Sequence, residues 1–262
     1  MATTDIRPRA AVTGSTRAIV APGYRGRPRP RGALLWGLPS KVFTGAVAII
    51  FLYPLVWTGV ASVSPQAGTN QAEGWGFGNY EKLANFQSGI WVYLGNSLFV
   101  SVLTVVLTLL ISFLGGYAFA RFSFPGKDLL FLSVLAILMV PYATLLIPLY
   151  VILNAVGLQN SLVGVALVLT MFQLPFSMFM MRISFESVPR ELDEAALVDG
   201  CTSFGALWRV LLPAVKPGLI TVGLFAFLTA WNDFIAPLIL INDQSRITLP
   251  LAVANLRGQT MG

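Results

Sequence analysis

Few side chains in this 262-residue chain are equipped for chemistry, and they are unevenly placed. There is no histidine and a single cysteine, Cys201, which leaves no imidazole base, no intrachain disulfide and no cluster of metal ligands. No GxxxxGK[ST] phosphate loop occurs either, so nothing in the chain is built to cradle a nucleotide. Most of the remaining acids of interest lie between positions 182 and 216, where Glu186, Glu191, Asp193, Glu194 and Asp199 are interspersed with Arg182, Arg190, Arg209 and Lys216. A mixed cluster of this kind can pair with a complementary surface on another protein. Asp233, preceded by Trp231 and Asn232, instead stands alone in an apolar run. A lone carboxylate at the centre of a bilayer costs about 2.5–3.5 kcal/mol unless it faces a cavity or a partner.

The elements that must hold these groups follow from composition. Apolar residues make up 56% of the chain and charged ones 11%, against about 25% charged in soluble domains. Mean hydropathy is +0.75. A soluble domain, a disordered chain and a fibrous one are all excluded, and the chain reads as an all-α, polytopic helical membrane protein. Charge-free runs cover 42–72, 83–120 and 129–181. The last has 53 residues; as one straight helix it would be about 80 Å long against a hydrocarbon core of about 30 Å. It must fold back at the polar, glycine-containing stretch 154–161. Five spans are predicted, at about 42–63, 90–120, 129–153, 162–181 and 218–241, with a long charged loop over 182–216. The stretch after Asn242 reads as too short and too polar to span.

Seven arginines fall between Arg7 and Arg31, and the tail through Lys41 holds eight of the 17 Lys+Arg. With Arg121 and Lys127 in the second-to-third loop and four more over 182–216, fourteen share one side of the predicted topology; only Lys82, Arg246 and Arg257 fall on the other. The positive-inside rule therefore places the N-terminus and the 182–216 loop in the cytoplasm of a multi-pass cell-membrane protein. Residues 1–41 read as a disordered basic tail attracted to anionic membrane lipid rather than to nucleic acid. A cleaved signal peptide is not expected, because the basic region is too long and the apolar segment exceeds the usual h-region.

Within the charged loop the pattern is helix, break, helix. Pro189 suits the start of a helix whose early acids, Glu191, Asp193 and Glu194, favour its N-terminal dipole. Gly200 can take a positive φ and end it, and Ser203 can cap a second helix carrying Phe204, Leu207, Trp208 and Leu211 on one face. Pro213 and Pro217 are expected to stop that second helix.

Glu194-Ala195-Ala196, then Gly200, then nine residues before Val210-x-Leu212-Pro213, resemble the EAA loop of ABC-importer permease subunits, with valine where that family more often has isoleucine at 210. The resemblance extends from about Tyr53 to Pro250 and points to the carbohydrate-uptake branch related to the maltose permease, inner-membrane components of binding-protein-dependent transport. Gly116 to Lys127, Val140-Pro141, Ile147 to Tyr150, Gly157 to Asn160 and Trp231 to Phe234 read like that branch. The resemblance implies the transmembrane domain of a type I importer, in which the loop docks into a cleft on a separate ATPase subunit. Glu194 and Gly200 would anchor that docking, with Ala195, Ala196, Leu212 and Pro213 completing the motif. It also implies a second permease subunit, a pair of ATP-binding subunits that hold the ATP–Mg, and an external sugar-binding protein. No catalysis and no cofactor are expected in this chain. Family members usually carry a sixth span, which is absent from the predicted topology.

Two readings stay open for Trp231, Asn232 and Asp233. They can line a translocation path, with the indole offered to a sugar ring and Asn/Asp offering hydrogen bonds, or Asp233 can serve a structural polar contact. Asp233 is also the one residue on which an ion-coupled secondary transporter could be built. A membrane-embedded enzyme lacks a convergent acid pair.

Overall fold

The computed structural model describes residues 33–65 and 75–260. Of the basic tail expected at 1–41, residues 1–32 lie outside these. The chain divides into two compact units, Met1–Ala61 and Ser62–Gly262. In the first, helix α1 (Ala33–Val63) begins ahead of the expected position 42, because the apolar stretch already starts at Ala33. Its spanning part, Lys41–Val63, exposes most of its side chains.

Among the described residues of the second unit, helices are the only regular secondary structure. A short α2 (Gly78–Ala84) precedes α3 (Ile90–Arg121). Then come α4 (Lys127–Ala136), α5 (Tyr142–Ala155) and α6 (Leu162–Glu186). The charged loop holds α7 (Arg190–Val198) and α8 (Ser203–Ala206), followed by α9 (Leu212–Asn232), α10 (Ile235–Leu240) and α11 (Leu249–Thr260). Helices α3, α6 and α9 pack on one another as the centre of the unit. Small residues permit this approach, as expected where lipid removes the hydrophobic drive for helix association. A Cβ on Gly116 of α3 would meet Met181 Cβ at 2.5 Å and the Arg182 backbone at 3.0 Å on α6, and Thr104 Oγ1 donates to Ala166 O across the same interface.

Buried side chains form two clusters. The one at the charged-loop end contains Phe113, Met181, Phe185, Leu207, Leu211 and Val222. The one at the far end contains Val100, Leu146, Leu169, Ala236, Leu240 and Leu251.

Among the described residues, Lys41–Val63, Ile90–Arg121, Leu162–Glu186 and Ser203–Asn232 are long and apolar enough to cross a membrane. The fold is thus all-α and polytopic, but three expected elements differ. In place of one span over 129–153, α4 and a 3₁₀ turn, Ile137–Met139, meet α5 at a bend of 105°. Pro141 accounts for it: its ring would clash with the Ile137 carbonyl in a continuous helix, and the residue before a proline avoids the α region, as Val140 does at φ −86°, ψ 127°.

Pro213 and Pro217 do not stop the second loop helix, which runs without a gap from Ser203 to Asn232. A π-helical turn over Leu207–Leu211 ends two positions before Pro213 and contains Arg209, four residues ahead of the proline, and such a turn relaxes the local ladder that the proline would otherwise break. The helix expected at 218–241 ends at Asn232, with Asp233 extended at φ −72°, ψ 129°. Pro237 lies four residues on, where its ring would strike the Asp233 carbonyl of a continuous helix. Finally, the stretch after Asn242 is helical in α11, whose 12 residues cover about 18 Å, short of a hydrocarbon core of about 30 Å.

Candidate functional site

The charged loop is organised by its caps. Pro189 takes φ −56°, ψ 139° just before α7, and Glu191 and Asp193 fall in the first turn, where carboxylates suit the helix dipole. Gly200 ends the helix at φ +84°. Its N–H donates to Leu197 O and that of Cys201 to Ala196 O, at 3.0 and 2.9 Å, the paired bonds of a Schellman cap that glycine forms without steric cost. The second cap is Thr202 rather than Ser203: its Oγ1 accepts from Gly205 N–H at 3.1 Å.

Helical periodicity then sorts the motif residues. Ala196 is buried, whereas Glu194, Ala195 and Gly200 are exposed. Leu212 is half-buried against the loop-end cluster, and Pro213 is exposed. Val198 and Phe204 stand out with 87% and 67% of their surface exposed, large apolar side chains on a charged loop. Between α7 and α8 lies a cleft of about 500 Å³ lined by Asp199, Gly200, Cys201, Thr202, Phe204 and Trp208, among others.

One ion pair fastens this loop to the bundle. Arg121, in the last turn of α3, places Nε 2.8 Å from Asp193 Oδ2, with side chains 8% and 22% exposed. The same guanidinium donates to Val188 O at 2.9 Å, so it holds both α7 and the turn that leads into it. Beneath, Phe113 packs on Phe185 and on Trp208 with ring centres 5.4 and 5.5 Å apart. Any displacement of α7 therefore pulls on α3 through a charged contact, and α3 bears in turn on α6 and on the turn that carries Trp208 through Phe113. Arg121 was visible in the sequence only as the charge that closes a long apolar run. Its partner lies 72 positions away, beyond the reach of periodicity.

At the far end, the structure places Trp231, Asn232 and Asp233 at the end of α9, about 31 Å from its start. Trp231 stacks on Phe227 with ring centres 5.5 Å apart, and exposed Asn232 donates to Leu228 O of its own helix. Asp233 makes two contacts: Oδ2 accepts from Tyr142 Oη at 2.9 Å, and Oδ1 accepts from Ala236 N–H at 2.9 Å in the first turn of α10. Tyr142 also meets Phe172 of α6 edge-on at 4.5 Å. Tyr142 carried no signal in the sequence beyond its place after Pro141.

The segment beyond α10 is held by two asparagines. Asn160 Oδ1 accepts from the N–H groups of Asn242 and Asp243, and Asn96 Nδ2 donates to Ser245 O and Ile247 O. In this segment the Ser245 N–H and hydroxyl bonds hold the Asp243 carboxyl below the usual carboxylate range. Among the described residues no group of His, Cys, Asp and Glu could hold a metal ion.

Residues 111–261 match the family described as binding-protein-dependent transport system inner membrane component. The sulfoquinovosyl glycerol transport system permease protein SmoH of Agrobacterium fabrum is 33% identical over 229 residues, covering 85% of this chain and 80% of that protein. The trehalose transport system permease protein SugB of Mycobacterium tuberculosis is 31% identical over 235 residues, covering 88% and 84% respectively. The crystal structure of a bacterial ABC transporter involved in import of the acidic polysaccharide alginate contains a similar chain, with a TM-score of 0.70, 25% identity and coverage of 87% of this chain and 81% of that one.

Proposed function

Because the chain belongs to the family of binding-protein-dependent transport system inner membrane components, we propose that it is the permease subunit of an ATP-driven importer for a sugar or related carbohydrate. It is a transport component and not an enzyme, and it works in the membrane beside other subunits. The carbohydrate class is taken from its relatives, whose names specify sulfoquinovosyl glycerol, trehalose and alginate transport. A second permease subunit, a pair of ATP-binding subunits and an external sugar-binding protein complete the assembly.

In this reading α7 is the coupling helix. The observation that carries it is the division of labour between neighbours: exposed Glu194 and Ala195 are free to meet an ATPase cleft while Asp193 is tied to α3 by Arg121. Glu194 pairs with a basic residue of that cleft, and Ala196, Gly200, Leu212 and Pro213 give the handle its shape. The N-terminus and this loop face the cytoplasm, supported by the fourteen of 17 Lys+Arg on that side. The arginine-rich stretch from Arg7 to Arg31 is a basic tail, and the permease domain begins with α1. Trp231 and Asn232 face the path at the end of α9, with Asp233 fixing their placement. The ion-coupled alternative has little to stand on, because each oxygen of Asp233 already accepts a hydrogen bond.

The test is to purify the chain with its partners from native membrane, reconstitute them, and ask which sugars stimulate ATP hydrolysis. Glu194→Ala and Gly200→Asp are expected to weaken ATPase association or uncouple it from uptake. Uptake that survives ATP depletion but collapses with a proton uncoupler would sink this reading in favour of the secondary transporter.

A further inference from the structure

We propose that the hydrogen bond from Tyr142 to Asp233 is a latch between two proline-made hinges: it holds the resting state of the permease and must part for the pathway to open. The inference rests on the chain being an ATP-driven permease, but names a pair that the coupling loop does not involve.

Two discontinuities meet at this point. The α4–α5 break precedes Pro141 and the α9–α10 break lies four residues before Pro237, with Tyr142 the first residue of α5 and Asp233 the residue after α9. Residues flanking such breaks lack part of the helical hydrogen-bond ladder and can absorb a change of φ and ψ that a packed helix cannot. Tyr142 and Asp233 are 91 positions apart, and their side chains bridge the two breaks directly.

The surroundings make this contact a natural point of separation. Helix α10 is held at its start by Asp233 and at its end by Asn160, whose N–H donates to Leu240 O at 3.2 Å. It packs on α5 and α6 chiefly through Ala236, Leu240, Leu146 and Leu169, apolar contacts with no directional requirement. Moving α5 against α10 about the end pinned by Asn160 keeps most of that dispersion energy but breaks the directional O–H···O bond at the Tyr142 end. Packed interfaces of this sort switch between discrete arrangements, and a single polar contact sets which one is favoured.

The variants that isolate the latch are conservative. Tyr142→Phe removes the donor and keeps the ring against Phe172. Asp233→Asn keeps an acceptor for Ala236 N–H and turns its amide toward the Tyr142 oxygen, so the bridge survives. Asp233→Ala removes both bonds. In the reconstituted complex, Tyr142→Phe and Asp233→Ala are expected to raise ATP hydrolysis without sugar by about tenfold, the shift associated with losing one hydrogen bond. Asp233→Asn is expected to hydrolyse less ATP without sugar than Asp233→Ala does, and the double variant Tyr142→Phe/Asp233→Ala to add nothing to Asp233→Ala.

A second measurement does not depend on those substitutions being neutral for folding. In a Cys201→Ser background, Tyr142→Cys/Asp233→Cys joined by a short bis-methanethiosulfonate, which links to each thiol as a disulfide with release of methanesulfinate, is expected to stop uptake, which returns on reduction. Uptake continuing across the intact cross-link, or wild-type coupling in Tyr142→Phe, overturns the latch while leaving the permease reading in place. A wild-type complex with no sugar-stimulated ATP hydrolysis overturns that reading and the latch with it.

Discussion

Each end of the bundle carries a polar pair between distant elements, and the two pairs differ in what they join. At the loop end, Arg121 and Asp193 form an ion pair 2.8 Å long between a short surface helix and an unbroken α3. At the far end, Tyr142 and Asp233 share one hydrogen bond between two interrupted helices. A charged contact on a continuous rod passes displacement on. A neutral donor between two hinges allows it. The contrast teaches that rigidity in this protein is local: the chain is continuous where the charged loop is fastened and jointed at the far end.

Arg121→Ala should do the most damage to this arrangement. It strands Asp193 in a largely covered site, a loss on the order of 3 kcal/mol for a broken buried pair. Sugar-stimulated ATP hydrolysis should vanish, with the chain still inserted; Arg121→Lys, which cannot satisfy Asp193 and Val188 O with the same planar fork, should recover only part. Equal activity in all three would show that the loop end transmits nothing through this contact. Next in size, Gly116→Leu would force α3 and α6 apart at their closest approach, destabilising by about 1–3 kcal/mol as overpacked interiors do. Thermal unfolding in detergent would register it, and an unchanged midpoint would count against a tight α3–α6 contact.

Gly200→Ala should cost about 1 kcal/mol, since an L side chain is strained at a positive φ. The effect should appear as a weaker complex with the ATPase rather than a lower yield of the permease itself. Acidification should have the smallest effect. Asp243 is held below its ordinary range by Ser245, so its contribution is fully present above the unfolded value, about 3.9, and is lost as pH falls through its lowered folded value. Protection of the Ser245 amide against hydrogen exchange should drop only in that acid window, without a change at the loop end.

Much of the fold was legible because a bilayer imposes a one-dimensional rule. Charge-free runs of sufficient length mark helices, and the polar stretch at 154–161 had to be a turn, as the ends of α5 and α6 at Ala155 and Leu162 bear out. The loop was readable for a second reason: Pro189, Gly200 and the spacing from Glu194 to Pro213 act locally, within a few turns of backbone. The misreadings at Pro141, Pro213 and Pro237 share a cause. A proline removes one hydrogen bond wherever it falls, and neighbouring packing then selects a sharp bend, a π turn or a complete break. Ser203 lost the cap to Thr202 by one position, a choice between two equivalent hydroxyls made by backbone geometry.

From residue order alone came the membrane class, the acidic helix of the charged loop and the lone Asp233, because each rests on composition or on neighbours within a turn or two. Folding alone chose the partners, joining Arg121 to Asp193 and Tyr142 to Asp233, since a hydrogen bond between residues 91 positions apart exists only once helices have packed. Pairing energy falls off over a few ångströms while chain distance says nothing about separation in space, and in a lipid-facing bundle that packing is set by shape as much as by polarity.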